Sequence, residues 1–73
     1  MSYGIAWTST YPGYARVLAT GEQIDVMPIA NSNGAATLHA GGVSTRFSSV
    51  DDAIRAGNAL AAYVARQAAA IAV

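Results

Sequence analysis

A chain of 73 residues has room for one domain and only just enough interior for a single core. Its four basic residues are all arginines (Arg16, Arg46, Arg55, Arg66), and four acids cancel them to a formal net charge of zero. A protein that neutralises several phosphates carries an excess of Lys and Arg, so nucleic acid is not the expected partner. With no cysteine, disulfides, thiolate metal sites and cysteine nucleophiles are excluded together.

Tyr3, Ile5 and Trp7 alternate with Gly4, Ala6 and Thr8, the period of a half-buried strand. Tyr11-Pro12-Gly13-Tyr14 offers Pro and Gly for the centre of a type II turn. A second strand is predicted from Tyr14 to Ala19, with Ala15, Val17 and Ala19 on one face and Tyr14, Arg16 and Leu18 on the other. Thr20-Gly21-Glu22 reads as a tight connection to a third strand, Gln23 to Ile29. Within it Ile24 and Val26 oppose Asp25 and Met27. Pro28 lacks an amide donor and belongs at the strand end or on an edge.

Asn31-Ser32-Asn33-Gly34 is the strongest turn signal, because Asn and Gly tolerate positive φ. Strand four is predicted at Ala36–Ala40, and Gly41-Gly42 should form a hairpin into strand five, Val43–Phe47. Ser49 with Asp52 three residues on marks a helix start: the serine can accept from the Asp52 amide, and the carboxylate can reach back. Val50, Ala53, Ile54, Gly57, Leu60, Ala61, Val64, Ala68 and Ile71 then recur at helical spacing. Gly57 in mid-helix costs up to ~1 kcal/mol against Ala. A close approach, over Trp7, would justify it. Asp51 and Arg55 are spaced as an i,i+4 ion pair. The expected architecture is α+β: one domain over 1–73, with about five short antiparallel strands within 3–47 and a helix over 50–72 packed on one face. Such a helix is about 33 Å long, while five-residue strands reach about 17 Å. Its last turns should overhang the sheet.

No constellation for chemistry emerges. His39 has no companions at ligand spacing and no nucleophile–acid set. The serines lack a Gly-x-Ser-x-Gly elbow, and Gly41-Gly42 lacks the lysine and spacing of a phosphate loop. No catalytic, cofactor-binding or metal-ligating residue is assigned, and no cofactor is expected. Tyr3 and Trp7 share a face with Ile5, which suits core packing better than base stacking. The sheet face away from the helix is the surface of interest. By alternation it should carry Tyr14, Arg16, Asp25, Met27, Thr37, His39, Ser44 and Arg46. Arg, Tyr and Met favour protein contacts, so Arg16, Arg46, Tyr14, Met27, His39 and Asp25 are the candidate partner-binding residues. The N-terminus lacks a basic region followed by an apolar run. The apolar C-terminus is interrupted by Arg55, Asn58 and Arg66 and falls short of the ~20 apolar residues of a membrane span. The expected location is cytoplasmic, away from membranes.

A small Cys-free chain with a short-stranded sheet, a Phe47-Ser48-Ser49-Val50-Asp51-Asp52-Ala53-Ile54 transition and one C-terminal helix resembles phage and prophage proteins. In particular it is similar in size and layout, over the whole chain, to anti-CRISPR inhibitors directed at type I effector complexes. Those inhibitors share no diagnostic motif, so no site residue is carried over. Many are strongly acidic DNA mimics, and this neutral sequence departs from that. The resemblance implies a non-enzymatic inhibitor that binds an effector subunit through protein contacts, acting in the host cytoplasm. The alternatives are a small sheet-type DNA-binding module, with Arg16 and Arg46 facing the duplex, and a phage structural or assembly subunit. Near-zero net charge and a small core also predict a homodimer.

Overall fold

The computed structural model describes residues 6–71, in which five strands precede one helix. The strands are β1 (Thr8–Ser9), β2 (Tyr14–Val17), β3 (Gln23–Pro28), β4 (Ala36–Ala40) and β5 (Val43–Phe47), and the helix is α1 (Val50–Ile71). Every neighbouring pair is antiparallel, and the strands lie in chain order, so the sheet is a simple meander. Tyr3 and Ile5, assigned to the first strand by alternation, lie outside the described residues.

The turns follow their residues. Gly41 and Gly42 have φ of 58° and 80°, the pair of positive values that a two-residue hairpin needs to match strand twist. Asn31, Asn33 and Gly34 also sit at positive φ, and the amide of Ile29 donates to Ala35 O at 2.9 Å, closing the β3–β4 connection. Pro28 ends β3, beyond the last β2 pairing at Val26, where its missing donor costs nothing. The first turn differs from expectation: the Thr10 amide donates to Gly13 O, which centres the turn on Tyr11 and a cis Pro12 rather than on Pro12-Gly13. Gly13 is required for another reason. A Cβ there would collide with the carbonyl oxygen of Val26 and lie 2.7 Å from Met27 Sδ.

Ser49 caps α1 as its spacing indicates. Its Oγ accepts from the Asp52 amide at 3.1 Å, and its carbonyl accepts the first helical bond from Ala53. The Asp52 carboxylate goes elsewhere than a capping box would send it: it accepts from Ser48 Oγ at 3.0 Å and lies 3.8 Å from Arg55 Nη1. Arg55 thus approaches Asp52 at i,i+3. Replacing Ser49 by Ala is expected to cost about 1 kcal/mol. In a domain of this size that lowers the thermal midpoint by about 4–8 °C, which a circular dichroism melt would read directly.

The core lies between α1 and one sheet face. Ile24, Val26, Ala36 and Leu38 meet Ala53, Ile54 and Ala61, with Trp7 and Leu18 closing one side. Gly57 is where the ring of Trp7 sits: a Cβ there would come within 2.7 Å of Cη2 and 2.8 Å of Cζ2. The helical glycine is explained by this contact. Beyond Val64 the helix leaves the sheet. Ala65, Arg66, Gln67, Ala69 and Ala70 are exposed, Ile71 is 83% exposed, and the molecule extends 46 Å in its longest direction.

One strand is turned over relative to the sequence reading. Tyr14 is paired with Val26, and Arg16 with Ile24. Directly opposed residues share a face, so Tyr14, Arg16 and Leu18 point toward α1. Ala15 and Val17 point away, and Val17 is 63% exposed rather than a core residue. Tyr-Ala-Arg-Val-Leu-Ala has apolar residues on both faces, and a choice between them moves every side chain to the opposite side. That side accommodates Tyr14 and Arg16, because such side chains place apolar stems along a core edge while their polar ends reach out.

Candidate partner-binding face

The register gathers two parallel rows on the face away from α1. Asp25, His39 and Ser44 lie side by side across β3, β4 and β5, and Met27, Thr37 and Arg46 form the adjacent row. Strands are spaced about 4.8 Å apart, so each row spans about 10 Å. Four of the six candidate residues therefore fall on one surface: Asp25, Met27, His39 and Arg46. Asp25 and Met27 are half-buried at the sheet centre, whereas His39 and Arg46 are exposed toward the β5 edge. His39 Nδ1 lies 2.7 Å from Ser44 Oγ, and Gln23 Nε2 donates to Asp25 Oδ1 at 3.1 Å.

The other two candidates, Tyr14 and Arg16, belong to the helix side, for the reason of register given above. Arg16 is engaged there in a latch. Its Nη1 donates to Asn58 Oδ1 at 2.7 Å, Trp7 Nε1 donates to the same oxygen at 2.8 Å, and the guanidinium carbon sits 6.0 Å from the Trp7 ring centroid. One amide oxygen accepts twice because it has two lone pairs. Asn58, which in the sequence stands out only as an interruption of the apolar C-terminus, is the residue on which this contact turns. The available signal was its position directly after Gly57, the residue on which Trp7 rests.

Withdrawal of Arg16 changes the electrostatics of the open face. Among the described strand residues it retains one base, Arg46, and one acid, Asp25. A duplex-binding sheet needs several convergent cations, and this face offers a balanced pair. Asp25, His39 and Ser44 are the residue types of a nucleophilic triad, but they lie across an open sheet face with His39 and Ser44 exposed to solvent. Acyl transfer relies on donors aimed at the developing oxyanion within a water-excluding site. An open groove of about 380 Å3 does lie on this side of β1 and β2, lined by Thr8, Thr10, Ala15, Val17 and Gln23 among others. It contains none of the three residues of that row. Among the described residues no group of His, Asp and Glu side chains is placed to hold a metal ion, and no helix is long and apolar enough to cross a membrane.

No family model, curated protein or solved structure matches this chain.

Proposed function

We propose that the chain is a non-enzymatic binding protein that works by covering a surface of a protein partner with its open sheet face. The observation that carries this reading is the uncovered pair of rows, Asp25-His39-Ser44 and Met27-Thr37-Arg46, on a sheet whose opposite face is closed by α1. The mix is that of protein recognition: an arginine fork, a polarizable thioether, one acid and one imidazole, with no lysine. Following the resemblance in size and layout, the proposed partner is a subunit of a type I CRISPR effector in the host cytoplasm. Occupying that subunit would block DNA engagement without any chemistry.

An interference assay tests both parts. Wild type is expected to restore phage or plasmid survival in cells carrying a susceptible type I system. Arg46→Ala, checked for folding by circular dichroism, is expected to lose about 2 kcal/mol of binding to the captured effector, a roughly 30-fold rise in Kd. Arg16→Ala is expected to leave that affinity unchanged and to lower the melting temperature, because its partners are Asn58 and Trp7. Failure of wild type against every type I system tried removes the effector as target. Full activity of folded Arg46→Ala moves the contact to another surface.

A further inference from the structure

The two edges of the sheet are unequal. β1 is a two-residue strand ending in the Tyr11-Pro12 turn, whereas β5 is five residues long and pairs one-to-one with β4, without a bulge. Natural edges are blunted by proline, lysine, bulges or inward charges. Val43-Ser44-Thr45-Arg46-Phe47 has none of these apart from the single charge of Arg46.

The backbone of β5 has a defined polarity. A two-residue Gly41-Gly42 loop makes Ala40 and Val43 a hydrogen-bonded pair, so Leu38–Thr45 and Ala36–Phe47 are hydrogen-bonded pairs as well. The peptide groups of Ser44 and Arg46 consequently face outward, unclaimed by β4. We propose that a second copy of this chain adds its own β5 antiparallel to this edge, about a two-fold axis at Thr45.

Only outward-facing residues can exchange ladder bonds, which limits the registers. Centring on Thr45 sets Ser44 opposite Arg46 of the second copy, and the reverse, giving four backbone hydrogen bonds over the full strand. Centring on Arg46 would oppose two guanidinium groups, and centring on Ser44 would leave Arg46 against the Gly42 turn. In the favoured register Val43, 64% exposed in the single chain, lies beside Phe47 of the second copy on the helix side. Like charges are nowhere directly opposed, and a chain of zero net charge offers no general repulsion. A two-fold axis normal to the sheet puts both helices on one side. Both open faces then form one continuous ten-stranded surface that presents the proposed recognition rows twice. The pairing itself stands independently of what those rows bind.

Sedimentation equilibrium of the full chain from low to high micromolar tests the pairing, alongside hydrogen exchange at two concentrations. Wild type is expected to dimerise, with the Ser44 and Arg46 amides gaining protection as concentration rises. Ser44→Arg opposes two guanidinium groups twice and should raise the dimer Kd about tenfold. Arg46→Ser should not, and the double variant Ser44→Arg/Arg46→Ser should return to within about threefold of wild type because the opposed pair is only exchanged. Ile71→Ser, on the overhanging helix, should leave the Kd unchanged. A monomer at every concentration overturns the proposal. So does a dimer whose Ser44 and Arg46 amides gain no protection, or one that Ile71→Ser dissociates while Ser44→Arg does not.

Discussion

Trp7→Ala is expected to lower the stability of the fold by about 3–5 kcal/mol, the range for truncating a buried aromatic. Trp7 is 6% exposed, lies against Gly57 in the same core cluster as Ile24, and is tied to Asn58 through its indole nitrogen. Removing the ring opens a cavity at the end of the core where the segment before β1 meets α1. It also strips Arg16 of the aromatic face beside it and leaves Asn58 Oδ1 with one donor in place of two. A domain of this length has a total stability of only about 5–10 kcal/mol, so the variant should be marginally folded at room temperature. Urea denaturation followed by tryptophan-independent circular dichroism gives the free-energy change. An unchanged midpoint together with lost partner binding would place Trp7 on a recognition surface and contradict its role in the core.

Gly57→Ala should be destabilising even though the same change at an ordinary helical site favours the helix by up to about 1 kcal/mol. The added Cβ would lie 2.7–2.8 Å from two carbons of the Trp7 ring, well inside contact distance. The ring cannot swing aside without breaking its bond to Asn58, so the helix and the N-terminal segment must separate. Overpacking of this kind costs about 1–3 kcal/mol. The decisive measurement is the double variant: with Trp7 already truncated to Ala, Gly57→Ala should change sign and stabilise by about 0.5–1 kcal/mol, since only helix propensity remains. Non-additivity of that sign and size belongs to residues in direct contact. A simple sum of the two single effects would mean that the ring and the glycine are not apposed.

Much of the architecture is local and therefore legible in the residues. β4 and β5 begin and end where the alternation and the Gly41-Gly42 turn place them, and α1 starts at Val50 behind the Ser49 cap. The glycine at position 57 is intelligible before any coordinates, because a helix interior tolerates glycine poorly unless something must come close. The overhang of the last turns follows from comparing helix length with strand length. On the candidate surface, Asp25, Met27, His39 and Arg46 share a face because each lies on a strand whose alternate positions contrast clearly, Ile24 and Val26 against Asp25 and Met27 above all.

Where that contrast is missing, tertiary structure decides. Tyr14 to Ala19 puts apolar residues on both faces, Ala15, Val17 and Ala19 on one and Tyr14 and Leu18 flanking Arg16 on the other, so β2 alone does not settle which side faces α1. Its pairing of Arg16 with Ile24 and of Tyr14 with Val26 settles the matter, and it removes Arg16 from the open face. The destination of the Asp52 carboxylate is likewise a matter of which donor, the Ser48 hydroxyl or the Ser49 amide, lies nearer once the helix is formed. The shared acceptor at Asn58 joins residues 51 and 42 positions apart in the chain, a distance across which no local pattern operates. Strand propensity, turn chemistry and capping act over a few neighbours and are written in the sequence of this protein; the facing of an ambiguous strand and the meeting of Trp7, Arg16 and Asn58 exist only once the core has closed.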